Sequence, residues 1–199
     1  LEKCYHWKGI CIEPNVEYRK ELLENRLCKL VINPVGSYSG QEVKFTMNGP
    51  TGGIFDQEST ATNQVEVLET VTLNNLLAAM NAPSTIDYLS LDVEGYEHHV
   101  LKHFDFGLYT FLTLSIERPP KILHEHLSHH GYWFVTQLRH PQHGYFGECI
   151  YIHSTIAKFE QIMNKYRSNL DPSKTWSEGM VRNGIGGEPK FQLTPAWPK

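Results

Sequence analysis

Three apolar runs in this sequence each stop on a carboxylate: Gly9-Ile10-Cys11-Ile12 at Glu13, Ile86 to Leu91 at Asp92, and Phe111 to Ile116 at Glu117. Helical patterns lie between them, and such alternation of strand and helix is what builds an α/β sheet. The run Ile86 to Leu91 is nearly continuous in apolar residues, as expected of a parallel strand covered on both faces. In an open parallel sheet, ligands bind outside the carboxyl ends of the strands, so the three acids mark where chemistry should be sought. A carboxylate at that position can accept from both hydroxyls of a ribose.

The remaining elements follow from turn residues and periodicity. Pro14 and Asn15 break the first strand, and a helix is expected from about Val16 to Arg26 with Tyr18, Leu22 and Leu23 near one face. Lys29 to Val35 reads as a second strand closed by the turn residues Gly36 to Gly40, Gln41 to Met47 as a peripheral strand, and Asn48 to Gly53 as a loop. After an extended run from Val65 to Val71, Thr72 caps a helix in which Leu73, Leu76, Leu77 and Met80 share a face. A helix is expected from around Gly95 to His103. Another, opening at Pro119-Pro120, carries Ile122, Leu123 and Leu127 and stops at Gly131. Tyr132 to Leu138 and Glu148 to His153 read as antiparallel closing strands across the turn-rich segment His140 to Gly147. Ile156, Phe159, Met163 and Tyr166 mark a last amphipathic helix, and an irregular tail begins at Asp171.

At 199 residues the chain has material for one core plus a tail. Lys and Arg total 18 against 22 for Asp and Glu, a net charge of -4, and no basic run is interleaved with aromatics, so a nucleic-acid groove is disfavoured. No stretch approaches the roughly 20 apolar residues of a bilayer span. No secretory signal opens the chain at Leu1, so a cytoplasmic setting is expected for it, with room for a membrane anchor in a longer parent. Cys4, Cys11, Cys28 and Cys149 show no CxxC spacing and read as reduced thiols. His126 and His130 stand at i, i+4, with His124 and His129 nearby, but the segment lacks HExxH order; a solvated helix face is expected and no metal.

The stretches Trp7 to Asn15, Asn25-Arg26, Ile86 to Glu97 and Ser115 to Arg118 resemble successive motifs of the FkbM-type methyltransferases, the segment Asp92-Val93-Glu94-Gly95-Tyr96-Glu97 being the most specific. The resemblance runs from Leu1 to about His153. It makes residues 1–153 a partial methyltransferase domain and 154–199 a C-terminal helix and irregular tail. The implied fold is a Rossmann-like class I methyltransferase sheet, mostly parallel with an antiparallel closing hairpin. The implied cofactor is S-adenosyl-L-methionine, and the implied reaction is methyl transfer to a hydroxyl of a small molecule or sugar.

Carried over by position, Glu13 resembles the acid that binds the cofactor ribose, with Pro14 and Asn15 beside it. Asn33 to Ser37, including Val35 and Gly36, resembles the loop flanking the adenine. Asp92 stands where the methyl group is presented and is the first candidate for a general base, with Glu117, facing the acceptor pocket, the second. Glu94, Tyr96 and Glu97 are assigned to substrate contact or to structure, and Tyr96, Tyr145, Phe146 and the aromatic tail to the pocket wall. Asp92 as a mere helix cap, and Glu97 as the partner of a basic neighbour, are the structural alternatives.

In this family a first strand and a glycine-rich loop, roughly Asp-x-Gly-Ala-x-x-Gly, precede the position of Leu1. The sheet is therefore expected to lack them, and residues 1–199 alone to bind cofactor poorly; neither Gly49 to Gly53 nor Gly184 to Gly187 substitutes. Two rivals remain. Non-catalytic Star-like proteins of membrane trafficking resemble the family and keep much of the Asp-Val-Glu-Gly segment. A nicotinamide-dependent dehydrogenase also places an acid like Glu13 on a ribose, but gives no reason for the residues from Asp92 to Glu97.

Overall fold

Alternating burial marks the strand Glu42–Thr46, and side-chain caps open the helices Val16–Asn25 and Leu73–Ala79. A computed structural model describes residues 2–47, 49, 52–55, 65–139 and 146–167. The chain divides into two units, Leu1–Ala82 with Val93–Asp105, and Pro83–Asp92 with Phe106–Lys199.

The first unit contains α1 (Glu2–Tyr5), β1 (Ile10–Ile12), α2 (Val16–Asn25), β2 (Lys29–Val31), β3 (Glu42–Thr46), β4 (Gly53–Phe55), β5 (Val65–Glu69), α3 (Leu73–Ala79) and α4 (Glu97–Leu101). β1 and β2 pair in parallel, with Ile10 opposite Lys29 and Ile12 opposite Val31. Asn15 caps α2 by accepting from Glu17 N, which satisfies one of the helix's orphan donors. The apolar residues of α2 are not covered as the periodicity suggests: none is buried and Leu23 is 67% exposed. β2 ends at Val31, four residues before the expected limit, and Val35 re-engages only through a single parallel bridge to Val71.

β3 is not peripheral. It is the centre of an antiparallel sheet of order β4-β3-β5, pairing with β4 and β5, and Val43 and Phe45 alternate inward while Glu42 and Lys44 stay out. α3 matches its pattern closely: Thr72 accepts from Asn75 N, and Leu73, Leu76 and Leu77 are buried. α4 is shorter than expected, starting at Glu97.

Cys11 and Cys28 correct the expectation of reduced thiols. They form a disulfide with Cα atoms 5.7 Å apart, while Cys4 is free and exposed and Cys149 free and buried. The parallel register explains the proximity. Lys29 N donates to Gly9 O, so Cys28 stands level with Gly9, two residues from Cys11 and on the same face of the ribbon.

The second unit contains β6 (Thr85–Leu91), β7 (Thr110–Glu117), α5 (Lys121–His129), β8 (Tyr132–Arg139), β9 (Phe146–His153) and α6 (Phe159–Arg167), with sheet order β6-β7-β9-β8. β6 and β7 are parallel and the other two ladders antiparallel, so the closing hairpin β8-β9 forms as expected, but the expectation of a mostly parallel sheet is corrected: among the described strands the fold is mixed α/β, because β9 joins β7 as the return strand of a hairpin. Leu114, Ile116, Leu123 and Leu127 are wholly buried, and Phe111 nearly so. Ile122, placed on the core face by pattern, is 57% exposed. Phe111 N donates to the Tyr132 hydroxyl at 3.0 Å, and burial pushes that phenol up to about 12. Val135, Ile152 and Met163 seat α6 on the hairpin.

β6 departs from expectation. Only Leu91 is buried along it, because β6 pairs with β7 alone among the described residues and is an edge of its sheet. Residues 140–145 and the tail from Asp171 lie outside the described residues, Tyr145 and Gly184 to Gly187 among them. No helix among the described residues is long and apolar enough to cross a membrane.

Two outcomes follow from this packing. Leu127→Ala should cost about 2–5 kcal/mol in urea unfolding, against less than about 0.5 kcal/mol for Ile122→Ala. A second concerns acid. Burial holds the His124 imidazole below its ordinary 6.5, against a smaller opposing pull from Glu125, and burial lowers His153 likewise. Such bases take up protons more readily in the unfolded chain, so stability is whole above the unfolded value and declines as pH falls through it toward the folded value. Unfolding midpoints measured from about pH 7 to pH 5 should fall, and His124→Gln should flatten that slope.

Candidate functional site

In the first unit, the end of β1 makes a corner. Glu13 N donates to Val31 O, which carries the parallel pairing one residue past the strand and fixes the backbone from which the Glu13 side chain departs. Glu13 Oε1 accepts from Asn15 N at 2.7 Å. Burial raises the Glu13 carboxyl above its ordinary range, opposed by the Asn15 amide and by the positive charge of Arg19. Pro14 contributes its carbonyl, which accepts from Arg19 Nη2. Asn15 is 2% exposed; its Oδ1 caps α2, while its Nδ2 is buried without a hydrogen-bond partner, as is Arg19 Nε. Sequence pattern does not single out Arg19; its place one turn into the capped helix, facing back toward Pro14, is the only signal.

Val35 and Gly36 form the neighbouring loop of the same unit. Val35 is buried against Val71, and Gly36 N donates to Val71 O. A Cβ on Gly36 would stand 3.2 Å from Thr70 Cγ2, so a side chain there would press on Thr70. Thr70 Oγ1 in turn bonds the carbonyls of Tyr38 and Gln41, and Ser37 Oγ bonds His99 O.

The segment Val93 to Glu97 turns on a buried acid. Glu97 is 1% exposed and its Oε1 accepts from Val93 N and Gly95 N at 3.3 and 3.0 Å. Glu94 and Gly95 both take left-handed backbone, at φ 53° and 95°, which costs a glutamate and suits a glycine. Tyr96 is the N-cap of α4 and makes no side-chain cap bond; its ring stacks on His99 at 4.2 Å. Glu97 therefore accepts from the chain's own turn, a role the sequence reading did not foresee. Gly53, at the start of β4, packs on the same turn, its Cβ position 3.4 Å from Glu94 Cβ.

In the second unit, Leu91 and Ile116 are register partners, so the next residues, Asp92 just past β6 and Glu117 at the end of β7, stand side by side. Each offers a carboxylate oxygen within 4.8 Å of the other. Asp92 is exposed and does not cap α4, whose N-cap is Tyr96. Glu117 Oε2 pairs with Arg118 Nη2 at 2.6 Å, and Arg118 holds left-handed backbone at φ 41°. Glu148, which no sequence motif marks, stands directly opposite Glu117 across the β7-β9 ladder and accepts from the buried Ser115 hydroxyl.

A family model for the methyltransferase FkbM domain matches residues 1–166. The chain belongs to the FkbM methyltransferase family. No curated protein and no solved structure matches it. The matched span of the FkbM domain takes in Glu13, Asp92 and Glu117 and runs through most of α6. Methyl transfer is the general reaction type that membership carries.

Because Glu97 serves two backbone donors at once, Glu97→Ala should cost about 2–4 kcal/mol of stability, while Glu97→Gln, which keeps one acceptor oxygen, should cost about 1 kcal/mol. Chemical denaturation of the two variants side by side checks this.

Proposed function

We propose that this FkbM-family chain transfers a methyl group from S-adenosylmethionine to a hydroxyl of a small molecule or sugar. The observation that carries the reading is the pair Asp92 and Glu117, side by side where two parallel strands end. The Glu13 corner fits the nucleoside end of such a cofactor. A strand-end carboxylate partly withdrawn from water stands two residues from a buried amide nitrogen that has no partner, and a ribose brings both the donors and the acceptor these groups need. In this reading Glu13 and Asn15 hold the ribose, Pro14 shapes the approach, and Val35 and Gly36 flank the base.

The cofactor, when bound, supplies a methyl group on positively charged sulfur. The protein's part is alignment and the acceptance of one proton. Glu117 is engaged by Arg118, and an oxygen already held in that pair is suited to anchoring a second acceptor hydroxyl. Asp92 takes the proton of the reacting hydroxyl. For location we propose an oxidising compartment rather than the cytoplasm, since a bond such as Cys11–Cys28 persists where thiols are not kept reduced.

The test uses the full-length protein, with release of S-adenosylhomocysteine read against a panel of hydroxylated acceptors. Asp92→Asn should lower turnover by about 100-fold or more while leaving cofactor affinity unchanged. Glu13→Gln should weaken cofactor binding on the order of 10-fold to 100-fold without loss of stability, because it removes a charge that burial disfavours. Unchanged turnover in the first variant ends the role of Asp92, and unchanged affinity in the second ends that of Glu13.

A further inference from the structure

We infer that the Cys11–Cys28 disulfide is a redox-dependent clamp on the Glu13 corner: oxidised, it holds the corner formed, and reduced, it lets β1 and β2 part. The ligand that would sense this is the nucleoside of the proposed function, so that portion of the inference rests on that reading.

The two strands have little else to hold them. Each is three residues long, and among the described residues each pairs only with the other. No residue of β1, β2 or α2 is buried, so the apolar burial that ordinarily secures a parallel pair is scarce. Backbone bonds flank the short ladder, Lys29 N to Gly9 O at 3.0 Å and Glu13 N to Val31 O at 2.9 Å. The disulfide closes a loop of sequence separation 17, and that loop contains Glu13, Pro14, Asn15 and the whole of α2. Opening a cross-link over a loop of this size shifts the balance between closed and open forms on the order of 100-fold.

Glu2 stands beside the bond. Its carboxylate lies within 4.8 Å of both sulfurs. Its oxygens are already engaged, one by Arg26 and the other by Leu27 N at 2.7 Å, the residue just before Cys28. That engagement commits the three groups to the clamp rather than to a cation. Glu2 thereby ties α1 to the chain that enters β2, so these contacts and the disulfide brace the same corner. Opening takes two electrons and two protons from a dithiol reductant, which becomes a disulfide as Cys11 and Cys28 become thiols.

The experiment uses the full-length protein in three states: as purified under air, reduced by a small dithiol and capped with iodoacetamide, and as the variant C11S/C28S. Mass spectrometry should show two more capped thiols after reduction than before. Amide exchange at Glu13 and Lys29 should quicken about 10-fold to 100-fold on reduction and in the variant, while Phe111 and Leu114 in the second unit stay unchanged. S-adenosylhomocysteine, added as the probe, should bind the oxidised form at least about 10-fold more tightly. Equal exchange at Glu13 and Lys29 in both redox states overturns the clamp, as does recovery of all cysteines as free thiols from the unreduced protein. Measurable binding of the probe that is equally tight in both forms also overturns it. If exchange quickens and the probe binds neither form, the clamp stands and the nucleoside reading fails. Reduction of the wild-type chain keeps the test decisive even where C11S/C28S does not fold.

Discussion

The parallel register between β6 and β7 is the constraint on which the proposed chemistry depends. Parallel strands run in the same sense, so their last residues emerge at one end of the sheet, and alignment of Leu91 with Ile116 leaves the two following carboxylates as neighbours. A slip of one residue would turn one of them to the opposite face. What keeps the register is burial of β7, whose Leu114 and Ile116 are wholly covered, and its second ladder to β9. The hairpin thus does more than close the sheet. It locks the strand whose end bears Glu117, and it brings Glu148 opposite that residue.

Strand ends and helix caps were the most legible features of the sequence. Apolar runs that stop on an acid located Glu13, Asp92 and Glu117, and Thr72 with the spacing of Leu73, Leu76 and Leu77 described α3 almost to the residue. These features are local, in that the signal sits within one turn or one strand of the structure it predicts. Burial was less legible. A run such as Ile86 to Leu91 has the same composition whether neighbours cover it or it stands at an edge, and only pairing decides. The same holds for β3, whose alternating pattern states that one face is covered and says nothing of its rank among the strands.

Long-range pairings were not legible at all. Cys11 and Cys28 meet because a parallel ribbon returns the chain after α2, and a separation of 17 residues has no motif to announce it. Glu2 reaches Arg26 and Leu27 for the same topological reason. Glu97, read from sequence as substrate contact or structure, makes a structural bond that no spacing announces. An acid near an acidic motif invites a functional role, whereas here desolvation of two backbone donors creates the demand that a buried carboxylate meets.

That turn alters what the signature Asp-Val-Glu-Gly-x-Glu means. Of its four specified polar or glycine letters, Gly95 is required by a backbone twist, Glu97 by amide nitrogens in need of an acceptor, and Glu94 sits in the same left-handed bend. Selection for folding alone would preserve Gly95 and Glu97 in a descendant that had lost all turnover, while the left-handed bend gives no reason for a glutamate at Glu94. Retention of Gly95 and Glu97 is therefore evidence of shared ancestry and an intact bend, and is silent on turnover.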